Sequence, residues 1–364
     1  MTRVKRGLFY CQYDVGIGHL MRSLNICRSL IKEFEIDFLL GGYDLNLSLD
    51  SPRFHLLQLP PLGKSDQGNE KHEKMAQRLK SIEALHIPYE FLITGFFPFS
   101  KLGLSREIES LICKLKTLNS HCLVACSLRD SMSPLPPAYE LKAVNIVKQY
   151  YDLIFVHSDP HIFRLEEVFH LTHELTDKLI YTGFIVNPDA DISPKPRQNR
   201  IVVSMGSGSF GEELFHAVFK VIPAFHDYQF LFSMGPKAPL LLSKELAQQI
   251  QDDGLKNCEI VNFIDNFPEC LSKSALSISL GGYSILDAVS TRTPALIYPV
   301  ELSDQFARAI KFARLGFLNI IMDLAPETLI PLMRRTLSMT PPSIQIDMAG
   351  TEKTTQQLKQ KLGG

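Results

Sequence analysis

The sequence has little that would direct it to a membrane, a metal or a nucleic acid. No apolar run approaches the roughly 20 residues of a membrane-spanning helix. The opening MTRVKRGLFYCQYDVG is basic and then apolar, but Gln12 and Asp14 interrupt it before it reaches the length of a signal-peptide core. Neither sign of charge is in excess. With 38 basic against 39 acidic residues and a net charge of −1, no global field gathers a polyanion, so nucleic acid is not an expected partner. Zinc spacing is missing too. Cys11, Cys27, Cys113, Cys122, Cys126, Cys258 and Cys270 are scattered and odd in number, and the close pair Cys122 and Cys126 has no second Cys or His pair at a zinc spacing. Buried free thiols in a reducing cytoplasm fit this pattern, and no metal is expected.

What is present is an ordinary globular composition, 45% apolar and 21% charged, over 364 residues, a length at which single cores usually divide. Short β-rich runs alternate with longer amphipathic ones, the pattern of parallel sheets with crossover helices. The first half predicts strands at Leu8–Tyr13, Ile36–Leu40, Phe54–Leu59, Phe91–Thr94, Cys122–Cys126, Leu153–His157 and Ile180–Ile185. Several are continuous apolar stretches, as strands covered on both faces are. Leu20, Leu24, Cys27, Leu30, Ile31 and Phe34 recur at helical spacing and predict a helix over Gly18–Phe34.

The segment NPDADISPKPRQN carries three prolines among polar residues and reads as an interdomain linker. The pattern then restarts. Strands are expected at Ile201–Ser204, Gln229–Phe232, Glu259–Val261, Leu276–Leu280, Ala295–Tyr298 and Leu318–Met322. Helices are expected near Glu212–Ile222, Ser243–Gln251, Ile285–Ser290, Asp304–Leu315 and Glu327–Ser338. The expected division is a first domain over 1–187, a linker over 188–199, a second domain over 200–340 and a tail over 341–364, each domain a doubly wound α/β sheet. The tail reads as a surface helix or disorder that could pack back on the first domain. Charged Gly63–Lys80 reads as an exposed loop running into a helix. FLITGFFPFS, Phe91–Ser100, is either a core strand with a buried turn or an acceptor-binding or membrane-docking lip.

Ligands of open α/β sheets bind outside the carboxyl ends of the strands, and four loops stand at such ends. In DVGIGHLMR, Gly16 and Gly18 permit a tight turn and His19 opens a helix. Its near-neutral pKa suits proton transfer, although a capping or buried structural role is as open. SMGSGSFG, Ser204–Gly211, offers amides and hydroxyls at the start of a helix, a phosphate cradle without lysine or else a plain flexible turn. Glu212 and Glu213 at that helix start suit an anion only if their side chains point away. In LGGYSILD, paired glycines admit close approach and Asp287 stands where a carboxylate accepts ribose hydroxyls or merely meets a helix dipole. In PVELSDQ, Asp304 and Gln305 pair a carboxylate with an amide, a combination suited to sugar hydroxyls and also common at helix starts.

These residues carry a resemblance. SMGSGSFG followed by NFIDNFPECLSKSALSISLGGYSILDAVSTRTPALIYPVELSDQ resembles the donor domain of GT-B glycosyltransferases related to the peptidoglycan N-acetylglucosaminyltransferase, and GIGHLMRSLNICRSL resembles the start of their acceptor domain. The opening YCQ, GIGHLMRSL, the FPF turn at Phe97–Phe99 and the LRD turn at Leu128–Asp130 look like a subgroup of predicted bacterial glycosyltransferases. The resemblance implies two Rossmann-like domains facing across a cleft and a nucleoside diphosphate sugar, UDP-linked, held by the second. It implies that Gly206, Ser207, Gly208, Ser209, Gly281, Gly282, Tyr283 and Ser284 contact the diphosphate. Asp287 would hold the ribose where relatives carry glutamate, Phe263 and Ile264 the base, and Asp304 and Gln305 the transferred sugar. On the acceptor side it implies Gly16, Gly18 and Arg22, with His19 as base. Asp130 is placed to orient His19 or an acceptor, and the subgroup carries an acidic residue where Gly95 stands. The reaction so implied inverts the anomeric centre and uses no metal or other cofactor. The acceptor, whether small molecule, peptide, glycan or lipid, is not specified. A nucleotide-sugar 2-epimerase and a non-catalytic nucleotide-sugar-binding protein are the competing readings.

Overall fold

In the computed structural model the described residues are 3–13, 17–43, 49–62, 66–193, 195–299 and 304–363, with Asp304 described by its backbone alone. The chain forms two units, one of His19–Pro188 with Met1–Asp14 and Ile346–Gly364, the other containing Asp189–Gln345.

The first unit holds strands β1 (Arg6–Cys11), β2 (Glu35–Leu40), β3 (Phe54–Gln58), β4 (Phe91–Gly95), β5 (Leu123–Arg129), β6 (Leu153–His157) and β7 (Leu179–Tyr181). Helices α1 (Gly18–Leu30), α2 (Gly68–Glu83), α3 (Ser105–Leu118) and α4 (Pro137–Tyr150) cross between them. All pairings are parallel, in the order β3-β2-β1-β4-β5-β6-β7. Both faces are covered, so β4 and β6 are buried at every position, as their continuous apolar sequence requires. The order reverses between β1 and β4, and this is where such sheets bind ligands.

Some boundaries shift: α1 stops at Leu30, short of Phe34. β5 continues to Arg129, so LRD closes a strand and only Asp130 lies in the bend beyond it. β7 stops at Tyr181, because Gly183 adopts φ +87 and turns the chain out of the sheet. Phe97 and Phe99 are fully buried, so FLITGFFPFS is a core strand with a buried turn. The cysteines are all free, and Cys113 faces outward on α3.

Charge is buried inside this unit as well. Arg78 on α2 and Glu107 on α3 are both fully enclosed, at 2.6 Å. The guanidinium also donates to Gly41 O and Pro60 O, each at 2.8 Å, and to Gln12 Oε1 at 2.9 Å, while Tyr10 Oη donates to Glu107 Oε1 at 2.7 Å. That one side chain ties the chain leaving β1, β2 and β3 to α3.

The second unit repeats the topology. Its strands are β8 (Gln198–Ser204), β9 (Gln229–Ser233), β10 (Cys258–Val261), β11 (Ser274–Ser279), β12 (Ala295–Ile297) and β13 (Leu318–Ile320), all parallel in the order β10-β9-β8-β11-β12-β13. Helices α5 (Glu212–Val221), α6 (Leu240–Asp252), α7 (Phe267–Ser272), α8 (Ser284–Ser290), α9 (Asp304–Arg314) and α10 (Pro326–Leu337) accompany them. The reversal lies between β8 and β11. Arg197, inside the proline-rich segment, donates to Ser274 O at 2.6 Å and Arg292 O at 2.7 Å, which anchors the segment's end to this unit.

The tail is an ordered helix, α11 (Gly350–Lys361), and it belongs to the first unit. Its mean polarity hides a stripe of Thr351, Thr354, Thr355 and Leu358 that is buried, with Thr355 Oγ1 donating to Ser29 Oγ at 2.8 Å and Lys359 pairing Glu33 at 2.7 Å. Phe184 N donates to Asp347 O at 2.8 Å just before it. Gly350 leaves no room for a side chain, since an added Cβ would lie 2.4 Å from Gly183 O and 2.6 Å from Phe184 O. Gly350→Ala is therefore expected to cost about 1–3 kcal/mol, as overpacking against backbone does. Chemical denaturation reads the loss, and wild-type stability in that variant would refute the packing described.

Candidate functional site

In the second unit the sheet itself assembles the loops. β9, β8 and β11 end in the same kind of tripeptide: Ser233-Met234-Gly235, Ser204-Met205-Gly206 and Ser279-Leu280-Gly281. Their serines are in register, Ser233 beside Ser204 and Ser204 beside Ser279. The middle residue of each is buried. Each glycine has positive φ, +89, +63 and +82, so all three chains leave the sheet by the same left-handed turn.

Two of the serine hydroxyls brace the loops beyond these turns. Gly206 N donates to Ser204 Oγ at 3.1 Å, and Ser284 Oγ to Ser279 Oγ at 2.9 Å. The β9 loop supports the β8 loop from behind: Lys237 N donates to Ser207 O at 2.8 Å, and a Cβ on Gly208 would lie 2.6 Å from Ala238 N and Met234 O. A Cβ on Gly211 would lie 2.5 Å from Leu280 Cδ2, so the β8 and β11 loops touch. Gly206 and Gly282 meet nothing within 4 Å, and the amides of Ser207, Phe210 and Gly282 have no hydrogen bond among the described residues. A clustered set of open amides above helix starts favours an anion.

The two glutamates at the start of α5 are engaged elsewhere. Glu212 lies 3.6 Å from His216, with Glu245 alongside, and Glu213 bonds the Tyr298 hydroxyl.

Asp287, one turn into α8, is buried, and burial alone pushes its carboxyl up to about 7. Among the described residues no hydrogen bond or ion pair reaches that carboxyl. Because its folded pKa lies above the unfolded one, the neutral acid contributes stability at low pH that is lost as pH rises through about 7. A diol donating to the carboxylate reverses the preference. Affinity for a nucleoside diphosphate is thus expected to rise by up to about tenfold from about pH 6 to about pH 8, and Asp287→Asn to flatten the profile. Calorimetric titration at several pH values decides it, and a flat wild-type profile would remove the ribose role from Asp287.

Phe263 is partly exposed after β10, beside half-buried Ile264; Tyr283, Ser284 and Gln305 are also half-buried. Gly16 lies outside the described residues, as does the side chain of Asp304. Arg308 on α9, buried and 3.3 Å from Gly282 O, was not singled out in the sequence, nor were Gly235 and Lys237. The repeated Ser–apolar–Gly ending was the available signal for the last two.

In the first unit, His19 stands in the first turn of α1 beside the end of β4. A Cβ on Gly95 would lie 3.0 Å from His19 Nε2, so the bare glycine makes room for the ring. Phe96 faces the imidazole at 6.4 Å and carries the Arg129 guanidinium at 5.9 Å on its ring. Arg22, buried one turn further along α1, stands 3.0 Å from His19 Nδ1. Burial first, then the charges of Arg22, Lys101 and Arg129, hold His19 well below the ordinary histidine pKa. Half-buried Asp130 stands just beyond β5. A second buried histidine, His157, spans Ser127 Oγ and Thr182 Oγ1 at 2.8 Å each and is likewise kept neutral by burial and by Arg22.

No protein-family model matches the chain, and no curated protein matches its sequence. Solved structures match along its length. A UDP-glucosyltransferase from Polygonum tinctorium superposes with a TM-score of 0.63 at 13% identity, covering 100% of both chains. The UDP-GlcNAc 2-epimerase from Methanocaldococcus jannaschii gives 0.60 at 14% identity over 98% of this chain and 100% of that one. The kitacinnamycin glycosyltransferase gives 0.60 at 14% identity, covering 99% and 95%. Transferases and epimerases alike share this architecture. With two α/β units, each built on a parallel sheet of seven or six strands, the chain has the GT-B fold.

Proposed function

We propose that the protein is a glycosyltransferase that moves a sugar from a nucleoside diphosphate sugar, UDP-linked, to an acceptor hydroxyl or other nucleophile, with inversion and without a metal. The observation that carries this reading is the row of three Ser–apolar–Gly turns on β9, β8 and β11, with open amides beside a buried Asp287 that has no partner among the described residues. Gly206, Ser207, Gly208, Ser209, Gly281, Gly282, Tyr283 and Ser284 contact the diphosphate, the open amides of Ser207 and Gly282 stabilising it most as charge builds on the departing group. Asp287 takes the ribose hydroxyls, Phe263 and Ile264 flank the base, and Asp304 with Gln305 read the sugar. Gly16, Gly18, Arg22, His19 and Asp130 belong to the acceptor side. Likeness to UDP-sugar transferases supports the choice of UDP.

Epimerisation at C2 is the second reading, favoured by the equal likeness to 2-epimerases. Incubation with UDP-, GDP- and dTDP-sugars separates them. Release of nucleoside diphosphate, slow without acceptor, supports transfer, and isomerised donor supports epimerisation. Binding without either product leaves a nucleotide-sugar-binding protein. A thermal shift with UDP at about 100 times its Kd adds roughly 2.7 kcal/mol, and no shift with any nucleoside diphosphate would sink all three.

A further inference from the structure

We propose that Arg22 holds His19 with its proton on Nε2, so that the imidazole meets substrate as a hydrogen-bond donor and does not accept the nucleophile's proton. The inference rests on the reading of this site as sugar-transferring, but its physical core lies within the first unit. A guanidinium carries five N–H donors and no acceptor. At 3.0 Å from Arg22 Nη2, His19 Nδ1 must therefore supply the lone pair. A neutral imidazole has one proton, and it is left on Nε2.

The surroundings preserve that state. Nε2 is buried and has no hydrogen-bond partner among the described residues. Among the described residues the charged groups acting on the ring are cationic: Arg22 on α1, Lys101 beyond β4 and Arg129 at the end of β5. A second proton is disfavoured by each of them. Histidine bases such as those of serine hydrolases have the opposite arrangement, with a carboxylate accepting from Nδ1–H so that Nε2 keeps its lone pair. Here Arg22 occupies the carboxylate's position, and Gly95 places no acidic side chain against the ring. An N–H on such a ring suits an oxygen that gains negative charge during reaction, and the nucleophile's proton is then lost to water. His19 is then a catalytic residue in the donor sense, and Arg22 a positioning residue acting through it.

The test is nitrogen NMR of the full chain with labelled histidine, His19→Gln serving to assign the signal. A protonated Nε2 and an unprotonated Nδ1, unchanged from roughly pH 5.5 to 8, is the expected result, and a proton on Nδ1 overturns the proposal. Arg22→Lys should keep that signature and Arg22→Met should mix the two tautomers and raise the ring's pKa. In turnover, His19→Gln retains an N–H donor and should stay within about tenfold of wild type, whereas His19→Ala should lose about 10²–10³-fold. Equal losses in both variants, with an acid limb near the ordinary histidine pKa, would restore the base role. If no nucleotide sugar is turned over, the transfer reading fails, and the spectrum still decides the tautomer.

Discussion

Arg78→Met is expected to destabilise the first unit by about 3–5 kcal/mol, the cost of stranding one member of a buried ion pair. Glu107 would keep its charge at full burial with, among the described residues, only Tyr10 Oη donating to it, the Pro60 carbonyl would lose its donor and Gly41 O would keep only Leu62 N at 3.4 Å. Those carbonyls belong to the chain leaving β2 and β3, so the damage spreads to the loops over the carboxyl ends of the sheet. The paired change Arg78→Met with Glu107→Leu removes both charges and should recover much of the loss, because an apolar pair of similar volume is often neutral or better. Urea denaturation of the single and double variants measures the coupling. A single variant within about 1 kcal/mol of wild type would mean that the network contributes far less than its burial demands.

Gly282→Ala is expected to leave the fold intact and to weaken nucleoside diphosphate binding by about tenfold or more, at least 1.4 kcal/mol. Its φ is not in the left-handed region, and an added Cβ meets nothing within 4 Å, so the protein offers no objection to a methyl group. The objection would come only from a ligand lying close against that backbone. Gly208→Ala is the contrasting case: φ is +84 and backbone atoms of Ala238 and Met234 stand 2.6 Å from the new Cβ, so both stability and binding should fall together. Calorimetry with UDP, paired with a melting curve, separates the two. Unchanged UDP affinity in Gly282→Ala would take the diphosphate away from that loop.

Much of the framework was legible. β2, β6, β8 and β12 fall within a few residues of their expected limits, because a continuous apolar run flanked by turn residues is a local property. The glycine loops were legible for the same reason. Ends were harder to place where a single residue's φ decided them, as Gly183 does beyond β7. Composition left the tail open between a helix and disorder, because its polar sequence conceals a threonine stripe whose burial depends on Ser29 and on a strand end far away in the chain.

The sequence by itself determined the two-sheet architecture, the position of the glycine loops and the residue types near them, since periodicity and turn chemistry act between neighbours along the chain. Only the tertiary structure decided what each polar group faces. It set three serine turns side by side, buried Asp287, enclosed Arg78 with Glu107 and turned Arg22 toward His19 Nδ1. Partner and burial fix the protonation of a buried group, and both depend on how the folded chain packs around it.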